Sequence, residues 1–224
     1  RNRCILVGAI TFLILTITFI ALGFYYFGGM KVTNISKNLE DLGISDKVES
    51  KYKGINIINI AIFGIDSRNN DHVGRSDSLM LLSVDREHNK LKITSIARDT
   101  KVNIPTKNGR YDKINHAYAF GGAPLAIKTL NKNFDMNIKD YVTVNFSEMA
   151  SVIDAVGGVT VEMTELERID TNNLLMGDKY KEMIPSSGKV DLNGAQALEY
   201  SRIRKRDSDP DRMSRQRKVI DALY

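Results

Sequence analysis

The longest uncharged run of the chain constrains its fold most. Residues 4–27 contain no Asp, Glu, Lys or Arg over 24 positions. As a helix this run would be about 36 Å long, whereas the hydrocarbon core of a bilayer is about 30 Å thick. The run ends in Phe24-Tyr25-Tyr26-Phe27, a cluster typical of a membrane interface, and no small-residue cleavage pattern follows it. The sequence therefore predicts an uncleaved transmembrane signal-anchor helix.

The charges beside this segment do not orient it. Arg1 and Arg3 precede the segment, and Lys31 and Lys37 follow it. The positive-inside comparison is therefore undecided. The sequence begins with Arg1 rather than Met, and we expect upstream residues to contribute to this comparison.

Several enzyme classes are excluded by composition. The single cysteine, Cys4, lies at the predicted membrane edge, so the remainder offers neither disulfide nor thiol chemistry. The three histidines, at positions 72, 88 and 116, lack the spacing of zinc ligands. The sequence also contains no Gly-x-Ser-x-Gly elbow and no phosphate-binding Walker loop.

The hydrophobic pattern after residue 28 predicts a mixed α/β fold. A dense β-branched run at 55–63 indicates a buried strand, and residues 78–85 and 91–97 indicate a β-hairpin. Further predicted elements are a stalk helix at 32–42, helices at 125–134 and 147–156, strands at 141–146 and 159–163, a helix capped by Asn193, and a last helix from Pro210 or Asp211. Since strands and helices interleave, we expect a central mixed sheet with helices on both faces.

Charged residues follow or precede three of these strands. Asp66 follows the first strand, Asp77 precedes the second, and the hairpin returns the chain to Arg98. If the first two strands are antiparallel neighbours, all three residues reach the same edge of the sheet. Two carboxylates at one edge suit Mg²⁺, which binds few protein ligands and keeps water or phosphate oxygens.

The second charged feature is an arginine-rich segment near the end of the sequence. Residues 202–217 contain six arginines and three aspartates, and residues 201–218 carry a net charge of +5, whereas the rest of the chain after residue 27 carries −2. One arginine guanidinium can bind two phosphate oxygens at once, so several converging arginines suit a diphosphate. On the last helix Arg212, Arg215 and Gln216 share one face. The alternative interpretation is a solvent-exposed segment in which the aspartates neutralise neighbouring arginines.

Five motifs together resemble the LytR-CpsA-Psr family. They occur in family order over about residues 55–220, behind the hydrophobic N-terminal segment. The motifs are Gly64-Ile-Asp66-Ser-Arg68, Gly74-Arg75-Ser-Asp77-Ser78, the segment 94–100 with Arg98-Asp99, Lys113-Ile-Asn115-His-Ala-Tyr118, and the series from Arg202 to Gln216. Two departures are Ala97, where a proline is usual, and Asp211, where a small or aromatic residue is commoner.

The resemblance implies a membrane-anchored phosphotransferase on the outer face of a bacterial cytoplasmic membrane. Such an enzyme transfers a glycopolymer, of the teichoic acid or capsular polysaccharide type, from a polyprenyl diphosphate carrier to peptidoglycan. The implied layout is a cytoplasmic stub at 1–3, the transmembrane helix at 4–27, a juxtamembrane stalk at 28–54 and an extracellular catalytic domain at 55–224. We expect this domain to be shortened at its C-terminus, because family members continue beyond the last helix.

The resemblance also implies residue roles. Asp66 and Asp77 correspond to metal-binding aspartates for Mg²⁺ or Mn²⁺, while Arg98 and Asp209 are the catalytic candidates, with Asp209 assisting the attacking hydroxyl. The implied diphosphate-binding residues are Arg75, Arg98, Arg202, Arg204, Arg212 and Gln216. Arg68 and Arg215 fit the motifs without an assigned role.

Other functions remain open at this point. A non-catalytic or regulatory module could bind polyprenyl phosphates or anionic wall polymer through the basic segment, and a diphosphate hydrolase would differ only in using water as the acceptor. Nucleic-acid binding is disfavoured, because the implied domain lies outside the cell and its charge beyond the basic segment is negative.

Overall fold

The computed structural model describes residues 32–65, 74–106, 109–177, 182–204 and 208–223. The predicted membrane segment at 4–27 lies outside these ranges. No helix in the described ranges is both long and apolar enough to cross a bilayer. The chain divides into two compact units, Arg1–Ile35 and Ser36–Tyr224. The elements below belong to the second unit.

Helices and strands interleave along this unit. In chain order the described elements are α1 (Asp46–Tyr52), β1 (Ile57–Ile65), β2 (Ser76–Asp85), β3 (Lys90–Ser95), β4 (Lys101–Ile104), β5 (Arg110–Lys113), α2 (His116–Phe134), β6 (Asp140–Asn145), α3 (Phe146–Ala155), β7 (Val159–Met163), α4 (Glu165–Leu175), β8 (Gly188–Leu192), α5 (Gly194–Arg202) and α6 (Asp209–Asp221).

The central sheet is mixed, as predicted. Its strand order is β3-β2-β1-β6, with antiparallel pairs β1–β2 and β2–β3 and a parallel pair β1–β6. Two further hairpins, β4–β5 and β7–β8, form separate two-stranded sheets. The hairpin that was predicted from 78–85 and 91–97 is confirmed as β2 and β3.

The side chains of β1 alternate between the two faces of this sheet, and helices cover both faces. Phe63 is fully buried, and its ring lies 5.2 Å from that of Tyr118 on α2, centroid to centroid. Its neighbours Ile62 and Gly64 point to the opposite face, where they line a cavity together with residues of α3, α5 and α6. The prediction of a sheet covered on both faces is therefore confirmed.

Capping boxes begin three of the helices. The N-cap side chains of Asn145, Thr164 and Asn193 each accept a hydrogen bond from the backbone three residues later, and the residue there bonds back. Asn193 was predicted as a cap. The helix predicted at 147–156 begins one residue earlier as α3, because its N-cap is Asn145, which accepts from Glu148 N at 2.8 Å.

The predicted stalk helix at 32–42 is also wrong. Residues 32–38 have no regular structure, turns follow at 39–43, and the helix α1 begins only at Asp46. Asn131, which is buried on α2, donates from Nδ2 to the Leu42 carbonyl at 2.9 Å. Gly43 then adopts φ +69°, which ends any helical continuation. A contact distant in sequence thus overrides the local periodicity.

Two further elements differ from the predictions. Helix α2 begins at His116 instead of Leu125, with a kink of non-helical angles at Gly121 and Gly122. The stretch 165–190, where no element was predicted, contains α4 and the start of β8.

Arg215 of α6 is buried within the packing of the C-terminal half. Only 3% of this residue is exposed. Its Nη2 donates to the Ile203 carbonyl at 3.0 Å, and its Nη1 lies 3.7 Å from Glu167 Oε1 on α4. The Tyr200 hydroxyl donates to the same Glu167 oxygen at 3.5 Å. Arg215 therefore fixes the backbone at Ile203, which lies between Arg202 at the end of α5 and Arg204.

Replacement of Arg215 by Ala should strongly destabilise the fold. The change removes a buried guanidinium and leaves the buried Ile203 carbonyl and the partly buried Glu167 carboxylate without this partner, which costs about 3–5 kcal/mol. Urea unfolding followed by circular dichroism measures the loss. Arg217→Ala, two residues away and partly exposed, is the matched control and should cost less than about 1 kcal/mol. Equal stability of the two variants would contradict the anchoring role.

Truncation of Phe63 tests the core between the sheet and α2. Phe63→Ala removes a ring that contacts Tyr118 and Tyr141, and we expect a loss of about 3–5 kcal/mol in the free energy of unfolding. The same substitution at Phe134, which is 42% exposed at the end of α2, should cost far less. The two urea midpoints give the comparison directly.

Candidate functional site

A charged pocket lies at one edge of the central sheet, where β2 begins, β3 has just ended and α6 begins. The lining residues are Asp77, Ser78, Leu79, Ser95, Ile96, Ala97, Arg98, Asp209, Arg212, Met213 and Gln216. The hairpin thus brings Asp77 and Arg98 to one edge, as the topology predicted. Helix α6 adds Asp209, Arg212 and Gln216 from the distant arginine-rich segment.

Ion pairs connect the arginines and aspartates of this pocket. Arg98 Nη1 donates to Asp77 Oδ1 at 2.9 Å, and Arg98 Nε lies 3.9 Å from Asp209 Oδ2. On α6, Arg212 Nη2 lies 3.2 Å from Asp209 Oδ1. Asp209 therefore lies between the two guanidinium groups and links α6 to the end of the hairpin.

The pocket places the buried charge of Arg212 near that of Arg98, whose side chain is 22% exposed. Only 6% of Arg212 is exposed. Burial lowers its pKa below the usual value, and the nearby charge of Arg98 lowers the pKa further, while Asp209 opposes both effects. The Nε atoms of Arg98 and Arg212 are buried and donate no hydrogen bond to any residue in the described ranges. An anion that accepted from these donors would relieve both the repulsion and the lost hydrogen bonds.

The motif from Lys113 to Tyr118 supports Arg98 from outside the pocket lining. Sequence reasoning missed this role. Asn115 N donates to the Arg98 carbonyl at 3.2 Å. Lys113 Nζ lies 2.6 Å from Asp99 Oδ1, and the second oxygen of Asp99 lies 3.6 Å from Arg98 Nε. The hydrogen bond from Lys113 is the main cause that lowers the pKa of Asp99. The segment 113–115 thus fixes the turn that presents Arg98.

The other predicted diphosphate-binding arginines lie outside the pocket lining. Arg75 is exposed just before β2, and Arg204 is exposed after α5. Arg202 is also exposed, and its Nη1 lies 3.4 Å from Glu199 Oε1. The charge of Arg204 nevertheless contributes to the lowered pKa of Arg212, which indicates that Arg204 lies near the pocket. Asp66 and Arg68 lie outside the described residues.

An apolar groove adjoins the charged pocket. It lies between the sheet and helices α3, α5 and α6. Its lining residues are Ile62, Gly64, Ser78, Met80, Val144, Asn145, Met149, Leu198, Ser201, Gln216, Val219 and Ile220. Ser78 and Gln216 line both cavities, and Ser78 Oγ donates to Gln216 Oε1 at 3.1 Å. The two cavities together suit an amphiphile with an anionic head and an apolar tail.

Asp77 is suited to bind a metal ion. Its carboxylate lines the pocket, and its side chain is 26% exposed. In the described part of the chain no group of three or more His, Cys, Asp or Glu is placed to hold a metal. Mg²⁺, however, commonly uses only one or two protein carboxylates. Asp77 therefore fits the ion, and the site stays a prediction because Asp66 lies outside the described residues.

Known proteins similar to this chain include two curated relatives. The "polyisoprenyl-teichoic acid–peptidoglycan teichoic acid transferase TagU" of Oceanobacillus iheyensis is 39% identical over 184 residues, which are 79% of this chain and 53% of the relative. The enzyme of the same name from Halalkalibacterium halodurans is 35% identical over 217 residues, 93% of this chain and 67% of the relative. The chain thus spans between about half and two thirds of these relatives.

Solved structures are similar as well. "TagT bound to LI-WTA" matches with a TM-score of 0.66 and 33% identity over 75% of this chain and 63% of that one. "LytR-CPS2A-psr family protein YwtF (TagT) with bound octaprenyl pyrophosphate lipid" matches with a TM-score of 0.63 and 30% identity over 75% and 63%. The family model described as "LytR_cpsA_psr family" matches residues 23–224. Since this match covers most of the sequence, the chain belongs to the LytR_cpsA_psr family.

Proposed function

We propose that this chain is a membrane-anchored phosphotransferase that moves a glycopolymer, of the teichoic acid or capsular type, from a polyprenyl diphosphate carrier to peptidoglycan. The observation that carries the proposal is the junction of the charged pocket with the apolar groove at Ser78 and Gln216. The diphosphate would occupy the pocket and the first prenyl units would occupy the groove. The names of the similar TagU and TagT proteins support this choice of substrates.

The pocket arginines would bind the diphosphate with little reorganisation. Asp77 holds the Arg98 guanidinium in place at 2.9 Å. Asp209 lies farther away, at 3.9 Å from Arg98, and its side chain is 45% exposed. An incoming phosphate would therefore displace Asp209 more easily than Asp77. Arg75, Arg202 and Arg204, which lie outside the lining, would contact the outer phosphate oxygens.

The transfer itself requires one bond to form and one to break. The acceptor hydroxyl oxygen attacks the phosphorus that carries the glycan, and the bond from this phosphorus to the polyprenyl phosphate oxygen breaks. Polyprenyl phosphate leaves with the electron pair. Arg98 and Arg212 stabilise the charge that develops on the diphosphate. Asp209, once displaced toward the open side of the pocket, accepts the hydroxyl proton.

Asp77 and Asp66 would hold Mg²⁺ or Mn²⁺ beside the arginines. When bound, the ion supplies further neutralisation of the phosphate oxygens. Residues 4–27 would anchor the domain in the cytoplasmic membrane with residues 55–224 on the outer face. This placement puts the pocket on the same side as the peptidoglycan acceptor.

Arg98→Ala should lower transfer by about 100- to 1000-fold, because one preorganised cationic donor is lost where charge develops. The full chain in detergent is supplied with a lipid-linked glycopolymer and peptidoglycan fragments, and the phosphodiester-linked product is quantified. Arg86→Ala is the matched control, since Arg86 lies in the exposed turn between β2 and β3. Undiminished transfer by Arg98→Ala would refute the assignment of Arg98.

The same assay separates transfer from hydrolysis. A transferase should consume the lipid-linked donor much faster when peptidoglycan fragments are present. Equal donor consumption with and without the fragments, with water as the acceptor, would identify a diphosphate hydrolase instead. Binding of the donor with no turnover under either condition would identify a binding module.

Leu198→Trp should weaken binding of the prenyl tail while leaving the head pocket intact. Leu198 lines the groove but not the charged pocket. A tryptophan there would fill the groove, and each displaced methylene costs about 0.8 kcal/mol. We expect the affinity for octaprenyl diphosphate to fall at least about ten-fold. The affinity for inorganic pyrophosphate should stay unchanged.

The control for this variant is Leu166→Trp. Leu166 lies on α4, is 56% exposed and does not line the groove. Both affinities should be retained in this variant. If Leu198→Trp weakened pyrophosphate and octaprenyl diphosphate equally, the groove would not be the tail site.

A further inference from the structure

Ser78 occupies an unusual position between the two cavities. It lines both the charged pocket and the apolar groove, and among the described residues Gln216 alone shares this position. The two side chains are joined by the hydrogen bond from Ser78 Oγ to Gln216 Oε1 at 3.1 Å. Ser78 lies on the rigid strand β2 and Gln216 on α6, so this bond bridges the sheet and the helix at the head–tail boundary.

The direction of this hydrogen bond determines which end of the Gln216 amide faces the rest of the site. An amide has one acceptor oxygen and one NH₂ donor. When Ser78 donates to Oε1, the oxygen is engaged and Nε2 stays available to donate. In the opposite orientation the amide would present its oxygen to the anion, which phosphate oxygens repel.

Gly64 keeps Ser78 in this position from the neighbouring strand. Gly64 and Ser78 are directly paired between β1 and β2. A Cβ added at Gly64 would lie only 2.9 Å from Ser78 Cβ, closer than side-chain atoms pack. The missing side chain at position 64 therefore lets Ser78 lie close to β1 while its hydroxyl reaches across to α6.

We infer that Ser78 is a positioning residue for the diphosphate, which acts by fixing the Gln216 amide so that its NH₂ group donates to the phosphate nearest the prenyl tail. This inference rests on the proposed function, because it assumes that the head group occupies the charged pocket. Ser78 itself need not contact the substrate. Its effect passes through Gln216.

A double-mutant cycle on octaprenyl diphosphate binding tests this inference. The affinity is measured on the full chain in detergent with Mg²⁺ present. Ser78→Ala should lower this affinity about three- to ten-fold, the equivalent of one net hydrogen bond. Gln216→Ala should lower it at least as much. The double variant should bind no worse than Gln216→Ala alone, since contributions that act through one group are not additive. Ser78→Thr keeps the hydroxyl and should restore binding.

Ser83→Ala is the matched control. Ser83 lies on the same strand, away from both cavities, and its hydroxyl also donates to a side-chain amide oxygen, that of Asn59, at 2.7 Å. Loss of this bond should leave the affinity for octaprenyl diphosphate unchanged. A loss of affinity in this variant would reveal a general effect of substitutions on β2.

Three results would overturn the inference. Binding by Ser78→Ala equal to that of the wild type would show that Ser78 has no role. Additive losses in the double variant would show that Ser78 acts without Gln216. Failure of the wild-type chain to bind octaprenyl diphosphate would instead reject the proposed function on which the inference rests.

Discussion

The pairing of guanidinium groups with carboxylates at one sheet edge is the interaction on which the rest of the site depends. Arg98 and Arg212 come from distant parts of the sequence, and each would repel the other if left alone in a buried pocket. Asp77 and Asp209 offset this repulsion and also tie β2, the end of the hairpin and α6 together. The Nε donors of Arg98 and Arg212 remain unused by the described residues.

Much of this arrangement follows from the sequence. The run at 55–63 and the hairpin after it indicate that Asp77 and Arg98 return to the same edge, and the structure brings them into contact. This works because antiparallel neighbours joined by a short turn leave little freedom in topology. The capping box at Asn193 is equally local and equally predictable.

Features built from distant contacts could not be predicted in this way. The apolar groove takes its lining from three strands and three helices, and no single segment shows it. The stalk helix fails because Asn131 bonds the Leu42 carbonyl from another element. On α6, Arg212 and Arg215 look equivalent in sequence. Only the packing shows that Arg212 faces the pocket while Arg215 anchors Ile203.

Helix α6 explains how one segment serves both cavities. Arg212, Gln216, Val219 and Ile220 follow the spacing i, i+4, i+7, i+8 and therefore share one face of the helix. The first lines the charged pocket, Gln216 lines both cavities, and the last two line the groove. Along about 12 Å of helix this face changes from cationic to apolar. The positive end of the helix dipole lies at the cationic end, which adds to the attraction for an anion. A single helix face thus matches the polarity of an amphiphile, and Gln216 marks the point where head and tail meet.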